Sequence, residues 1–269
     1  MRLVILGSGT AIPRERRGAS GYAVVADDGS ACVLECGPGS TRRWPHAGVS
    51  LEAARLVLCT HHHIDHCGEL PGLLFARNVV EPPASAPLCL AGPIGHAAHL
   101  EGLARVHGSM IADEGGGLTV RELADGETLR VPPFTVEARV VRHTPGALGV
   151  RVHVGERTLA FSGDTGPCDA VVDLCRDVDV ALLECSFSAH RPTESHLTTT
   201  ECGEIARAAS VEHLVLTHFY PDADAADREA EVRAGGYRGR LFLAEDLDVY
   251  DVGDRIERTP GPWEARGRP

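Results

Sequence analysis

The chain contains no lysine, and all 26 basic residues among its 269 are arginine. Without a lysine amine it can form no Schiff base with a carbonyl substrate, and it has no phosphate-binding loop of the Walker type. An excess of positive charge is also missing, since the formal net charge at pH 7 is -12. Binding to a polyanion draws on clustered positive charge, so we expect no large nonspecific nucleic-acid surface and no DNA partner.

Long apolar runs and paired cysteine motifs are missing as well. The apolar run at residues 3–6 is too short for a signal peptide or a membrane span, so we expect a cytoplasmic protein without a membrane partner. The nine cysteines form no C-x-x-C pair, and Cys32, Cys59 and Cys89 lie within apolar segments. This pattern fits buried, reduced thiols better than a disulfide framework.

The densest group of metal-binding side chains follows an apolar run at residues 56–59. His61, His63, Asp65 and His66 stand within six residues of one another. Imidazole and carboxylate groups are ligands for zinc-like ions, whereas burying them without partners is costly. Side chains alternate between the two faces of a strand, so we expect a loop at the end of the strand to bring these four together.

The pattern His-x-His-x-Asp-His after a strand resembles the signature of the metallo-β-lactamase superfamily. That resemblance implies three further ligands in chain order: a histidine, an aspartate and a histidine, each at the end of a strand. The chain has candidates for all three positions, and each follows a strand-like run: His143, Asp164 and His218.

Two metal ions and a hydrolytic reaction follow from the same resemblance. It implies two zinc ions, with manganese or iron as alternative metals, and a metal-bridging hydroxide as the nucleophile. The implied ligands are His61, His63 and His143 for one ion and Asp65, His66 and His218 for the other, with Asp164 bridging them.

Three further segments resemble the ribonuclease Z and cyclic phosphodiesterase branch of this superfamily. They are residues 149–152, 182–187 and 195–198. The resemblance implies that His196 assists cleavage of a phosphodiester, and we expect Glu184 to orient His196. With Asp65, these two residues form the predicted catalytic set.

Other positions depart from the branch. Glu35 stands where its relatives carry Asp, Pro38 where they carry Glu, and Val150 where they carry Tyr. Bacterial ribonuclease Z enzymes of the familiar kind also have a long arm, rich in Gly and Pro, that grips transfer RNA, and the corresponding stretches here are short. The expected substrate is therefore a small or cyclic phosphodiester or an RNA 3' end, and assembly as a homodimer stays open.

Several other functions remain open at this point. The segment His143-Thr144-Pro145-Gly146 resembles part of the glyoxalase II and lactonase motif, although Ala147 replaces its final histidine. A carboxylic ester, thioester or lactone hydrolase is therefore the first alternative. An iron-dependent persulfide dioxygenase is the second, and a metal-stabilised binding module without turnover is the third.

The resemblance implies an α/β fold, a four-layer αβ/βα sandwich built as a single domain over residues 1–269, with a frayed tail from about residue 259. Local patterns predict one helix that Ser50 and Glu52 open and another over residues 225–234.

We expect two sets of basic side chains to face solvent. They are Arg14, Arg16 and Arg17 in one loop, and His96 and His99 on one helix. His62 and Arg151 are expected either near the site or in solvent.

Overall fold

The computed structural model of the chain describes residues 1–80, 84–113 and 115–262. Its strands are β1 (Arg2–Gly7), β2 (Gly21–Val25), β3 (Ala31–Leu34), β4 (Ala54–Leu58), β5 (Leu88–Pro93), β6 (Leu118–Leu123), β7 (Thr128–Val131), β8 (Phe134–Val140), β9 (Leu148–Val154), β10 (Arg157–Phe161), β11 (Val180–Glu184), β12 (His213–Thr217), β13 (Arg240–Leu243), β14 (Val249–Val252) and β15 (Ile256–Thr259). Its α-helices are α1 (Ile64–Cys67), α2 (Leu70–Val79), α3 (His96–His107), α4 (Asp169–Leu174), α5 (Thr199–Ala208), α6 (Pro221–Ala225) and α7 (Arg228–Ala234), and 3-10 helices cover Thr41–Ala47 and Gly108–Ile111. None of these described helices is long and apolar enough to cross a membrane.

The strands form two mixed sheets. The first has the order β15-β14-β1-β2-β3-β4-β5-β6, and the second has the order β13-β12-β11-β10-β9-β8-β7. Strands β3 to β6 are parallel to one another, as are strands β10 to β13. The carboxyl ends of parallel strands meet at one edge of a sheet, so the loops that follow them gather there.

Alternation of side chains along the strands explains why the fold has four layers. Leu3 points into the core between the sheets, whereas Val4 packs in a separate core that α2 covers. In the second sheet, Leu182 faces the central core and Leu183 faces a third core shared with α5 and α7. Each such aliphatic side chain contributes about 1.5 to 3 kcal/mol through burial. The predicted αβ/βα sandwich is confirmed.

One of the predicted helices is wrong, and another starts later than expected. The helix expected from Ser50 and Glu52 is a turn, in which Ser50 Oγ accepts a hydrogen bond from the backbone N–H of Ala53 at 3.1 Å. The helix expected over residues 225–234 is present as α7 from Arg228, and residue 225 is instead the last residue of α6. The side chain of Asp227 caps the start of α7, and a capping residue must leave the helical conformation, so the chain cannot continue as one helix.

Two arginines have structural positions that the sequence did not indicate. The prediction of a solvated Arg17 is wrong, because its Nε donates to Asp224 Oδ2 at 2.8 Å and its guanidinium lies 4.7 Å from the centre of the Phe219 ring. Arg151 Nε donates to the carbonyl of Leu174 at 3.1 Å, beside the last turn of α4. A cation there satisfies free helix carbonyls, so Arg151 is not available to a phosphate in the loops.

The C-terminal segment is hydrogen-bonded beyond the start of the predicted tail. Thr259 is the last residue of β15, and the backbone N–H of Gly261 donates to Asp248 Oδ1 at 2.9 Å. The rest of the predicted tail, residues 263–269, lies outside the described residues.

Candidate metal centre and its surroundings

Loops at the ends of four strands bring the predicted ligands together. The loop after β4 and the short helix α1 carry His61, His63, Asp65 and His66. The other three follow different strands of the second sheet: His143 after β8, Asp164 after β10 and His218 after β12. The site therefore lies where the two sheets meet, and each sheet supplies part of it.

One group of donors consists of His61, His63, His143 and Asp164. Their ligand atoms all lie within 4.8 Å of one another. His63 Nδ1 is 3.3 Å from His143 Nε2, and Asp164 Oδ2 is 3.8 Å from His61 Nε2. Three imidazoles and a carboxylate at these separations can hold a zinc-like ion.

A second group consists of Asp65, His66 and His218, again with ligand atoms within 4.8 Å of one another. His66 Nε2 lies 3.3 Å from His218 Nε2, and Asp65 Oδ2 lies 3.5 Å from the same His218 atom. The backbone of His218 is left-handed, with φ of 57°. Such strained positions are concentrated at functional sites, where the surrounding structure holds them in place.

Asp164 lies between the two groups. Its Oδ2 is 3.3 Å from His66 Nε2 and 3.8 Å from His61 Nε2, while its Oδ1 is 3.5 Å from His218 Nε2. Burial raises the pKa of this carboxyl, but the charges of His218 and His66 outweigh burial and hold the pKa well below its usual range. Asp164 is therefore ionised and faces both groups.

The buried nitrogen of His61 tests whether a metal fits this site. His61 Nε2 is buried and has no hydrogen-bond partner among the described residues. An unpaired polar atom in that position costs free energy unless a ligand satisfies it. Burial, with a smaller effect from His66, lowers the pKa of His61 to about 2, so its imidazole is neutral, as metal binding requires. The donor set is that of a metal-binding protein.

Residues at the end of the first sheet orient two of the imidazoles. Thr60 Oγ1 lies 3.1 Å from His61 Nδ1, and Glu35 Oε1 lies 3.3 Å from His66 Nδ1. Glu35 also accepts a hydrogen bond from the backbone N–H of Thr60 at 3.1 Å. Contacts of this kind fix the ring so that its other nitrogen faces the centre, and their loss typically lowers metal affinity or activity by about 10- to 100-fold.

The second sheet orients two more of the imidazoles in the same way. His143 Nδ1 donates to the carbonyl of Ser195 at 2.8 Å, and Ser186 Oγ is 3.0 Å from His218 Nδ1. The sequence analysis assigned no role to Ser186. In the sequence, Ser186 was marked only by its place two residues after Glu184. In the structure, its hydroxyl donates to Glu184 Oε2 at 2.7 Å.

His196 stands beside the centre and contacts a carboxylate. Its Nδ1 donates to Glu184 Oε1 at 2.9 Å, and its ring centre lies 4.9 Å from that of His143. Burial lowers the pKa of His196, but the hydrogen bond to Glu184 and the charges of Glu184 and Asp164 raise it to about 9. His196 also forms a possible donor group with Asp164 and His218, whose ligand atoms lie within 4.8 Å of each other.

The remaining histidine of the motif lies outside both donor groups. The ring of His62 stacks on that of His99 with centres 4.5 Å apart, and His62 Nε2 lies 3.1 Å from His96 Nδ1. The expectation that His96 faces solvent is wrong, because only 1% of it is exposed. These contacts join the metal loop to the start of α3.

One aromatic residue near the centre was missed by the sequence analysis. Tyr220 follows two residues after His218, and its ring centre lies 5.8 Å from that of His218 and 6.1 Å from that of His196. Burial, together with the charges of Asp65 and Asp164, raises the pKa of Tyr220. The sequence contained no periodic or motif signal for this residue.

Comparison with known proteins identifies the family of the chain. Residues 32–219 match the family described as the beta-lactamase superfamily domain. The chain is 31% identical to the ribonuclease Z of Kineococcus radiotolerans, over 94% of this chain and 96% of that one.

Solved structures show the same fold. The metallo-beta-lactamase fold protein YhfI from Bacillus subtilis superposes with a TM-score of 0.80 at 20% identity, covering 92% of this chain and 98% of that one. The human tRNase Z short form superposes with a TM-score of 0.73 at 22% identity, covering 94% and 100%. From its sequence and its fold, the chain belongs to the metallo-β-lactamase superfamily and is a ribonuclease Z-like member of it.

Proposed function

We propose that this protein is a dinuclear metal-dependent phosphodiesterase that acts on small or cyclic phosphodiesters. The observation that carries the proposal is the pair formed by His196 and Glu184 beside the seven clustered donors. The donors alone fit any hydrolase of the superfamily. A protonated imidazole within reach of the centre suits a reaction whose leaving oxygen needs a proton.

The proposal assigns the seven donors to two zinc ions, with manganese or iron as alternatives. We infer that His61, His63 and His143 bind one ion, that Asp65, His66 and His218 bind the other, and that Asp164 is shared. Two such ions supply a water of lowered pKa and polarise the phosphoryl oxygens. Because the donors come from both sheets, we also propose that the chain acts as a single domain.

His196 is assigned to proton transfer. Its Nδ1 is occupied by Glu184, so Nε2 is the nitrogen that can donate to a leaving oxygen. Glu184 is a positioning residue, because it holds the ring through Oε1 while Ser186 holds its other oxygen. The two contacts fix the carboxylate from both sides, and they keep the imidazole oriented toward the centre.

The short connections in the second half of the chain favour a small substrate. Among residues 115–262, the longest connection between regular elements is residues 185–198, which carries His196 and packs against the site. No described segment there forms a long projecting arm. The net charge of -12 offers no substitute surface for transfer RNA. An RNA 3' end is the second substrate considered, because relatives of this chain are ribonuclease Z proteins.

A panel of four substrates tests the proposed function. We expect the zinc-loaded protein to cleave bis(p-nitrophenyl) phosphate and a 2',3'-cyclic nucleotide, to cut precursor transfer RNA poorly and to leave a homoserine lactone almost untouched. Removal of the metal with a chelator should abolish cleavage, and adding zinc back should restore it. Lactone turnover far above diester turnover would favour the ester hydrolase instead.

A structural observation weakens the lactonase alternative, and a metal analysis tests the persulfide dioxygenase alternative. The lactonase motif ends in a histidine, but Ala147 occupies that position and its side chain is buried in an apolar core. No imidazole can enter the centre from there. A single tightly held iron would indicate the persulfide dioxygenase, so elemental analysis of protein purified without added metal separates it from a hydrolase that holds two ions.

The pH dependence of kcat provides a further test. His196 donates a proton, so activity is present below its pKa and is lost as the pH rises through it. The protein groups alone raise that pKa to about 9, and bound cations oppose the rise, so the alkaline limb should lie at or below about pH 9. Glu184→Gln removes the charge that raises the pKa and should move this limb to lower pH.

The measurement is kcat against pH for the wild type and Glu184→Gln, at equal metal content. The variant keeps the size of the side chain and one carbonyl acceptor, which limits changes in packing. An unchanged alkaline limb in Glu184→Gln would assign the titration to another group and would remove His196 from the proton-transfer step.

A further inference from the structure

A stack of three side chains borders the metal centre on the side of α6. The guanidinium of Arg191 lies over the ring of Phe187, 4.1 Å from its centre. Tyr220 packs on the same ring. The centres of the Phe187 and Tyr220 rings are 5.1 Å apart, and the angle between their planes is 30°. Phe187 is only 6% exposed, whereas Tyr220 is half-buried. Tyr220 is therefore the member of the stack that is open both to solvent and to the centre.

The backbone around Tyr220 is held firmly. Tyr220 is the N-terminal capping residue of α6, and Pro221 at the first helical position restricts the backbone. Asp224 in the same helix bonds the buried guanidinium of Arg17 through both carboxylate oxygens, at 2.8 and 3.0 Å. A ring on such a support loses little conformational entropy when a ligand packs against it.

No internal contact uses the hydroxyl of Tyr220. It makes no hydrogen bond to any other described residue, whereas the phenol of Tyr22 bonds Thr217 and that of Tyr237 bonds backbone carbonyls. The contacts of Tyr220 with its described neighbours are therefore made by its ring and not by its hydroxyl. An aromatic ring that is half exposed beside a reaction centre offers apolar area for the organic part of a substrate.

We propose that Tyr220 determines specificity by stacking with the nucleobase of a nucleotide phosphodiester. The inference rests on the proposed phosphodiesterase function and narrows its substrate class. His218 and His196 lie on the side of Tyr220 that faces the centre, so a phosphoryl group there places the base one ribose away, next to the ring. Every base has a π-face, so stacking binds any nucleobase, and a small alkyl group offers the ring much less contact area.

Arg191 strengthens the same surface. Its guanidinium lies over the Phe187 ring, on which Tyr220 also packs, so it supports the stack by a cation–π contact. It also places a positive charge near Tyr220. An anionic nucleotide gains from that charge, whereas a neutral ester does not.

The test compares two five-membered cyclic phosphodiesters, one with a nucleoside and one without. One is 2',3'-cyclic AMP and the other is glycerol 1,2-cyclic phosphate, which has a five-membered phosphate ring but no base. In Tyr220→Leu, the ratio of kcat/KM for the nucleotide to kcat/KM for the glycerol compound should fall about 5- to 100-fold, mostly through KM. Tyr220→Phe should keep the ratio of the wild type. Phe75→Leu, at an exposed aromatic residue on α2, is the matched control.

Two outcomes of this comparison would overturn the inference. An unchanged ratio in Tyr220→Leu would mean that the ring does not contact the base. An equal loss in Tyr220→Phe and Tyr220→Leu would mean that the hydroxyl, and not the ring, carries the effect.

A binding measurement separates this inference from the proposed function. Titration calorimetry of the zinc-loaded protein should give tighter binding for adenosine 3'-monophosphate than for glycerol phosphate, and Tyr220→Leu should remove the difference. If no diester is cleaved but this difference is present, the proposed function fails and the base site stands. If diesters are cleaved and the two ligands bind equally, the function stands and the base site is wrong. Absence of both base-dependent binding and cleavage would reject both.

Discussion

Replacing Asp164 with alanine is expected to lower the occupancy of both metal ions at once. One oxygen of Asp164 faces His66 and His61, and the other faces His218, so a single substitution removes a donor from both groups. The loss in metal affinity should exceed the about 100-fold that an outer hydrogen-bond partner costs. Elemental analysis of purified protein should give close to two ions per chain for the wild type and fewer than one for the variant.

Asp173→Ala is the matched control for this experiment. Asp173 is an exposed residue on α4 whose carboxylate pairs with the exposed Arg176, so its loss should leave the metal content unchanged. Circular dichroism should show both variants folded. A variant at Asp164 that kept one full equivalent of metal would show that Asp164 serves one ion and is not shared by two. A single tightly held iron in the wild type would reject the dinuclear hydrolase.

Replacing His196 with alanine should lower kcat by about 10²- to 10⁴-fold while the metal content stays the same. The ring is assigned to proton donation, and removing it leaves all seven proposed ligands in place. The deficit should depend on the leaving group. A p-nitrophenolate departs with little need for a proton, but a ribose oxygen needs one. The loss should therefore be larger on a 2',3'-cyclic nucleotide than on bis(p-nitrophenyl) phosphate.

His190→Ala provides the control, since His190 is an exposed imidazole in the same connection. It should keep both activities. Equal deficits on the two substrates would show that His196 does not protonate the leaving group. Loss of metal in His196→Ala would instead place it among the ligands, which its distance of 3.9 Å from Asp164 makes a real alternative.

Much of the candidate site could be predicted from the sequence because its signals are local. Four donors in the His61 motif follow one strand, and each later donor directly follows another strand-like run. Apolar runs identify buried strands by composition alone, so the positions where they end are visible without knowledge of the fold. The spacing Thr198-x-x-Glu201 is likewise the local pattern of a capping box, and both of its hydrogen bonds are present at the start of α5.

The mistakes occurred where a distant partner decides the conformation. Arg17 looked like a solvated residue because its loop is polar, yet Asp224 and Phe219, more than 200 positions away, bury it. Arg151 alternates toward the outer face of the second sheet, where the end of α4 uses it. Burying an arginine is tolerated only with such partners, and no local pattern reveals partners far along the chain.

By itself, the sequence identified the seven proposed donors and their order, through the resemblance of the His61 motif and the strand-like run before each later candidate. The resemblance also implied their grouping and the contact between Glu184 and His196, but only the tertiary structure supplied the distances: Asp164 lies between two sets of imidazoles because the ends of β4, β10 and β12 meet where the two sheets face each other. Only the tertiary structure placed Tyr220 at the border of the centre and Arg17 in contact with Asp224. Such contacts depend on packing between sheets and on backbone angles in connecting loops, and neither is encoded in the spacing of residues along one strand.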